Sequence, residues 1–221
     1  MVTQAILAGR ARENGDVAGG LGDAVQRAFD IAVAGLGVLV LWPLLATVAL
    51  AVLLVDGRPV LWLDRRTGRW GREFVMYKFR TMVRDAARRG GLSTARNDPR
   101  VTRLGRLLRR YKLDEMPQLF NVLRGEMSIV GPRPEKPQYT RLYTEEQQVI
   151  LSVRPGLTDY ASIKLVNQAD LLGDEDVDQA YMERVLPLKN ELRVLYVRER
   201  SWAGDLKILA RTPVAIVRGH A

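Results

Sequence analysis

Residues 31–55 read IAVAGLGVLVLWPLLATVALAVLLV, 25 positions without a charge and with Thr47 as their one hydroxyl. As a straight helix this run measures about 37 Å, enough to cross a hydrocarbon layer of about 30 Å. It lacks the form of a cleavable signal: the preceding stretch is acidic as well as basic, the apolar run is too long, and no small-residue cleavage site follows. Pro43 stands near its middle. Proline removes a backbone donor, and its ring opposes the carbonyl of Leu39, so a break or kink is expected there. The halves would be about 18 and 20 Å long, each too short to span alone. A kinked crossing helix and a helix that dips in and returns to the same face both satisfy this pattern. Arg27 before the run and Arg58, Arg65 and Arg66 after it favour the same-side reading. The third reading, a buried core helix of a soluble protein, fits poorly with so few polar positions.

Charge is distributed unevenly around this run. The 221-residue chain carries a net charge of +9, yet residues 56–112 alone hold 17 basic and 5 acidic side chains. The basic band directly follows the apolar segment, which suits phosphate-rich partners such as anionic lipid or a nucleotide. Cysteine is absent and the single histidine is His220, next to the C-terminus. Thiolate nucleophiles, disulfides and histidine-based acid–base or metal chemistry are thereby excluded or made improbable. Carboxylates, arginine, lysine and hydroxyls remain as working groups.

Residues 1–20 read as a loose Ala/Gly-rich tail. PVLWLDRR and EFVMYKFRTM alternate apolar and polar residues on either side of TGRWGR, which predicts a β-hairpin. VTRLGRLLRRYKL places apolar residues at 101, 104, 107, 108 and 111, the spacing of an amphipathic helix with an arginine-rich opposite face. A shorter helix is expected at Glu115–Arg124, closed by Gly125, followed by an irregular loop through SIVGPRPEKPQ. Further helical patterns occupy Thr144–Ser152, Asp176–Arg200 and Asp205–Arg218.

The stretch LDEMPQLFNVLRGEMSIVGPRP, residues 113–134, carries the chemistry. Pro117 is tolerated only in a first helical turn, which places Asp114 at or beside an N-cap. Taken locally, Asp114 and Glu115 are ordinary helix-start residues. Their surroundings are not ordinary, since Arg109, Arg110 and Lys112 lie just upstream and Lys78, Arg80 and Arg133 lie in other motif-like stretches. A carboxylate among cations is expected to stay ionised and available as a nucleophile or a ligand to a hard cation such as Mg²⁺.

YKFRTM (77–82), the 113–134 stretch, VRPGLT (153–158) and DLKILART (205–212), together with the apolar segment, resemble the bacterial sugar transferase family of small monotopic phosphoglycosyl transferases, from about Ala24 to Pro213. The resemblance implies that Asp114 attacks the β-phosphate of a UDP-sugar, releasing UMP, and that Glu115 supports Mg²⁺ beside it. Polyprenyl (undecaprenyl) phosphate would then take the phosphosugar from Asp114. Arg109 matches a dyad-proximal arginine and Arg133 a phosphate-binding position. Lys78, Arg80 and Arg154 lie in family motifs and are assigned to anion binding.

Two positions depart from the family pattern. Trp42 stands where a serine usually precedes the proline, and Thr158-Asp159-Tyr160-Ala161-Ser162 replaces a common Thr-Gly-Trp-Ala-Gln. Asp159 is thus a candidate for either specificity or a turn.

The expected architecture is α+β and mostly helical: a flexible tail over 1–23, a re-entrant membrane helix over 24–56 broken at Pro43, and a cytoplasmic catalytic domain over 57–221. That domain holds a small β-hairpin and amphipathic interfacial helices. The family reading places it on the cytoplasmic face of the bacterial inner membrane, in contact with lipid, and is compatible with a homo-oligomer. No nucleic-acid partner is expected, because the basic band contains no nucleic-acid motif. The competing readings are a membrane glycosyltransferase that leaves UDP and a non-catalytic, membrane-anchored anion-binding protein.

Overall fold

In the computed structural model, residues 21–95, 98–165, 172 and 176–218 are described; of the tail expected over 1–23, residues 1–20 lie outside them and Leu21–Asp23 belong to the first helix. The apolar run belongs to a longer element, α1 (Leu21–Val55), a 35-residue helix of about 52 Å. Gln26, Asp30 and Ala34, then Leu45, Val48 and Val52, are its buried positions. Steps of three and four keep each group on one side of a helix. Ala34 shares a core with Met76, Val122, Met127 and Ile208, while Leu45, Val48 and Val52 pack with Phe79 and Leu108. Between the two groups, a Cβ added to Gly37 would come within 3.3 Å of Leu119 Cδ1. The helix therefore lies against the rest of the chain along most of its length. Its other flank is bare: Leu39, Trp42 and Leu54 are 69%, 61% and 74% exposed. Only 11% of its most apolar window is buried, which is the reverse of a soluble core helix.

The break expected at Pro43 does not interrupt the helix, which continues through it as one element. Proline withholds one donor and clashes with one carbonyl, and the well-formed turns on both sides carry the helix past that defect. Thr47 Oγ1 donates to the Pro43 carbonyl at 2.8 Å, so a threonine one turn later supplies a local bond beside the defect.

Both ends of α1 are tied to the same body. Arg27 donates to the carbonyls of Val122 (2.5 Å) and Leu123 (2.7 Å), and Asp30 Oδ1 accepts from Ser128 Oγ and Ile129 N at 2.9 Å. At the far end Asp56 Oδ2 accepts from Thr102 Oγ1 at 2.9 Å.

The predicted hairpin forms from β1 (Leu61–Thr67) and β2 (Glu73–Phe79), paired antiparallel from Leu61↔Phe79 to Thr67↔Glu73. Because directly opposed residues share a face, Trp62 lies beside Lys78. The outer edge of β2 is closed by Asn121, whose Nδ2 donates to Val75 O (2.7 Å) and whose Oδ1 accepts from Tyr77 N (3.0 Å). The amide thus substitutes for a missing strand.

Helix α2 (Arg103–Arg110) is capped by Thr102, whose Oγ1 accepts from Gly105 N at 2.8 Å. A Cβ at position 105 would collide with the Thr81 backbone, so glycine sets the close approach of α2 to that segment. Leu104 packs and Leu108 is buried inward, whereas Leu107 and Tyr111 are 52% and 54% exposed, so the apolar face read from the sequence is divided between core and surface.

After α2 the chain enters a 3-10 turn (Leu113–Glu115) and then α3 (Gln118–Arg124), closed as expected by Gly125 at φ 82. A parallel pair follows that the sequence did not announce: β3 (Ser128–Val130) with β4 (Gly156–Thr158). A Cβ on Gly156 would strike the Gly131 backbone, and one on Gly131 would strike the Arg154 carbonyl.

The remaining elements are α4 (Pro137–Thr140), a 3-10 segment Gln147–Ser152, α5 (Tyr160–Lys164), α6 (Val177–Ala180), α7 (Leu186–Glu199) and α8 (Trp202–Arg218). The helical run expected over 176–200 is present, uninterrupted from Val177 to Glu199, but α6 and α7 are joined within it by a π turn at Tyr181–Val185. Pro187 explains the π turn, because it cannot donate to the carbonyl of Glu183 and the turn before it widens. The chain is mostly helical with two two-stranded sheets among the described residues.

Candidate active site

The dyad does not start an α-helix. Asp114 and Glu115 lie in the 3-10 turn, entered through Lys112, a non-glycine residue at φ 56. The α-helix begins only at Gln118, with Pro117 at its cap. Proline at that point explains the delay: it supplies no N–H to close an α-type turn over Leu113, whose carbonyl instead accepts from Met116 N. The N-cap role expected for Asp114 is therefore not realised. Its side chain is 6% exposed, and Oδ1 is buried without a hydrogen-bond partner. Capping would have satisfied that oxygen.

Glu115 is its opposite. Oε1 receives Arg133 Nη2 and lies 3.5 Å from Lys78 Nζ. Burial alone would raise its pKa, but Arg133, Lys78 and Lys112, with the Arg133 hydrogen bond, hold it far below the usual carboxylate range. Asp114 moves the other way: burial, then the neighbouring Glu115 charge, raise it against the pull of Lys78, Arg109 and Lys112. In the protein alone desolvation thus outweighs the pull of the cations around Asp114, and its carboxyl stands above the usual aspartate value.

Four of the cations are built in from different elements. Lys78 comes from β2 and Arg109 from the last turn of α2, where its Nε donates to Thr81 Oγ1 at 2.8 Å. Burial lowers the pKa of both, opposed by the dyad. Lys112 comes from the αL residue before the dyad, and Arg133 from the loop after β3. Arg133 is further fixed by donation from Nη1 to the Leu157 carbonyl at 2.9 Å.

Two expected anion-binding residues are elsewhere. Arg80, 3% exposed, donates to the carbonyls of Asp56 (2.5 Å), Arg58 (2.7 Å) and Gly57 (2.8 Å), closing the C-terminal end of α1. Arg154 stands among Asp23, Arg27, Asp30 and Arg69 near the other end. The geometry of Arg80 is that of a helix anchor. Arg80→Met is accordingly expected to cost about 2–3 kcal/mol of stability, from charge-assisted bonds lost and carbonyls left bare. The variant that remains folded should keep its kcat. Thermal unfolding alongside turnover checks this, and a lost kcat at unchanged Tm would return Arg80 to the site.

Sequence reasoning passed over the layer beneath Arg133. Asp159, the departure noted at 158–162, is 1% exposed. Its Oδ1 caps α5 through Ser162 N (2.6 Å), and its Oδ2 accepts Arg133 N (2.9 Å). Of the two roles considered for it, the turn is the one the geometry displays, and that turn holds the Arg133 loop. Next to it Glu135 receives Arg193 Nη2 (2.8 Å) and the Tyr181 hydroxyl (2.6 Å), with Lys189 Nζ at 3.9 Å. The sequence signal was present in α7, where Lys189, Asn190 and Arg193 occupy the same buried stripe as Leu186, Val194 and Val197.

Among the described residues no group of three or more acidic or other metal-ligating side chains is found. The dyad by itself brings two carboxylates. That set suits Mg²⁺, which commonly takes one or two carboxylates and completes its shell with water and substrate phosphates. The buried Asp114 Oδ1, without a hydrogen-bond partner, is an acceptor of the right kind.

A family model described as bacterial sugar transferase matches residues 21–219. The chain belongs to the bacterial sugar transferase family. An undecaprenyl-phosphate glucose phosphotransferase of Komagataeibacter xylinus is 42% identical to this sugar transferase over 188 residues, covering 78% of it and 34% of the relative. A UDP-glucose:undecaprenyl-phosphate glucose-1-phosphate transferase of Escherichia coli is 37% identical, covering 87% of this chain and 40% of that one. The sugar transferase thus spans about a third of the length of the first relative and two fifths of the second. The exopolysaccharide production protein ExoY of Sinorhizobium fredii is of similar size, 36% identical with 89% and 87% covered.

Proposed function

We propose that the chain transfers a sugar-1-phosphate from a UDP-sugar to polyprenyl (undecaprenyl) phosphate through an aspartyl-phosphosugar, releasing UMP, as a first membrane step of exopolysaccharide or other glycoconjugate synthesis. The observation that carries this reading is a buried carboxylate with an unpartnered oxygen, set among Lys78, Arg109, Lys112 and Arg133. Such a group is primed for an electrophile that brings its own negative charge.

In this scheme an Asp114 oxygen attacks the β-phosphorus. The bond from that phosphorus to the bridging oxygen breaks, and the oxygen leaves with UMP. An oxygen of the lipid phosphate then attacks the same phosphorus, and the carboxylate of Asp114 is regenerated. Arg133 and Lys78 already neutralise Glu115, and with Arg109 they form the wall that receives diphosphate charge. Asp114 and Glu115 would hold Mg²⁺. When bound, that ion would supply charge neutralisation at the transferring phosphoryl group.

The same-side arrangement of α1 has a physical basis here. The catalytic body lies along one flank of α1, and both helix ends are fastened to that body. That packing favours the same-side reading, because carrying the two ends to opposite faces of a bilayer would draw the body into it. Trp62, Leu63, Leu107, Trp202 and Leu206 are exposed as well, as expected for elements resting in the interfacial region. The chain's lack of cysteine makes a direct check available. Single cysteines introduced by Gly22→Cys and Arg58→Cys are expected to react with an impermeant maleimide only from the cytoplasmic side. Labelling from opposite sides would establish a crossing helix.

The function itself is tested by incubating the purified protein with Mg²⁺, polyprenyl phosphate and a panel of UDP-sugars and separating the nucleotide products. UMP that depends on acceptor and Mg²⁺ is the expected result. UDP would indicate plain glycosyl transfer, and salt-sensitive anion binding without turnover would indicate the non-catalytic reading.

A further inference from the structure

Gln118 is the first residue of α3, three positions after Glu115 and four after Asp114, and it is wholly buried. Its Nε2 and its Oε1 are both enclosed without a hydrogen-bond partner, and no other side chain among the described residues has two such atoms. Native folds seldom leave a buried amide in that condition, and the exceptions call for a reason. Asn121, one turn later on the same helix and equally buried, shows what local packing achieves: its amide bonds Val75 O, Tyr77 N and Glu126 Oε2.

The complement to the Gln118 donor is close along the chain. Asp114 Oδ1 is a buried acceptor that also lacks a partner. Residues four apart on an α-helix face one another. Here the turn over Leu113–Glu115 is 3-10 and the α-helix starts only at Gln118, so that helical relation is not formed, and donor and acceptor are each left without a partner. Lys112 in the left-handed region and Pro117 bracket this turn. Backbone strain of that kind collects where a local rearrangement belongs to function.

We propose that Gln118 is a positioning residue for the nucleophile: in the substrate-occupied site its Nε2–H bonds the Asp114 carboxylate and fixes which oxygen faces phosphorus. This rests on the aspartyl mechanism proposed above. Gln118 touches no reacting phosphorus itself. It acts by orienting the group that does.

The test is kinetic and thermal together, on the full chain with Mg²⁺, UDP-sugar and polyprenyl phosphate. Gln118→Met keeps the volume and replaces two unsatisfied polar atoms with apolar ones, so its Tm should equal or exceed that of the wild type. Its kcat should fall about 100-fold, the scale of a misplaced reacting group, with KM for the donor within about threefold of the wild type. Gln118→Glu retains length and an acceptor oxygen but not the amide donor, and it should be as slow as Gln118→Met. Wild-type kcat in either variant overturns the proposal. A fall in Tm with kcat preserved in the folded fraction also overturns it, by making the amide purely structural. If Gln118→Met does not fold, Gln118→Glu decides alone. Wild-type protein in the same assay separates the two levels: no UMP from it strikes the aspartyl mechanism, whereas UMP release indifferent to Gln118 strikes only this inference.

Discussion

Asp114→Asn is expected to lower UMP release by about 10⁴-fold or more, the scale on which removal of a covalent nucleophile acts, without loosening the fold. The second half follows from the site's electrostatics. Burial and the Glu115 charge raise the pKa of Asp114 in the folded protein. A carboxyl group raised on folding contributes stability that is fully present below its unfolded pKa, near 3.9, and that is lost as pH rises through the folded value. At neutral pH the raised carboxyl therefore works against folding, and an amide of the same shape removes that penalty. Mg²⁺-free Asp114→Asn should accordingly melt at or above the wild-type temperature at pH 7, and the difference should vanish near pH 3. Parallel turnover and thermal unfolding at the two pH values check both statements. Normal turnover would remove Asp114 from the mechanism. Loss of activity with a lower Tm would assign it to structure.

Glu135→Gln carries the largest expected effect on stability. Arg193, 1% exposed, and Lys189 converge on Glu135 from α7, so the variant leaves buried positive charge without its partner. Breaking a buried pair from one side typically costs about 3–5 kcal/mol, which for a chain of this size lowers Tm by on the order of 10 °C. The pH dependence has a defined sign. Burial would raise Glu135, but Arg193, Lys189 and Arg66, with the Tyr181 hydroxyl, bring it down to about 2. Its stabilisation is present above the unfolded glutamate pKa near 4.3 and is lost as pH falls through about 2. Between those values the wild-type protein should lose stability steeply, and Glu135→Gln should lose much less. Lys189 acts at the other end. Burial lowers it to about 8, so the folded protein gains stability as pH rises from there toward the unfolded lysine value. Unfolding midpoints across pH 2–10 for the two proteins would resolve both limbs.

Elements whose logic is local were legible from residues alone. The hairpin emerged because alternation and a Gly-containing turn are short-range signals, and the closure of α3 at Gly125 because a left-handed cap favours glycine. Asp114, Glu115, Lys78, Arg109 and Arg133 do meet, although they come from four separate segments. What sequence could not give was the partner of a long side chain. Arg80 and Arg154 have the same charge as Arg133, and only tertiary placement sends them to the ends of α1. Asp114 looked like a cap because Asp-Glu-x-Pro is a common helix start. The 3-10 turn that withholds its oxygen depends on the Lys112 backbone and on packing from β2. The parallel β3–β4 pair is three residues per strand, below the length at which periodicity can speak.

The two unlike flanks of α1, one locked to the catalytic body and one bare, bear on how the proposed transfer would meet its lipid acceptor. A protein held by that bare flank diffuses in a plane, and a lipid phosphate reaches it by travelling in the same plane. The encounter is then governed by acceptor per unit of surface rather than per unit of volume. Adding inert phospholipid at constant bulk acceptor should slow the reaction. Concentrating the vesicles at fixed lipid ratio should leave the turnover of bound enzyme unchanged. The nucleotide donor, arriving from solution, should obey ordinary volume kinetics in the same vessel.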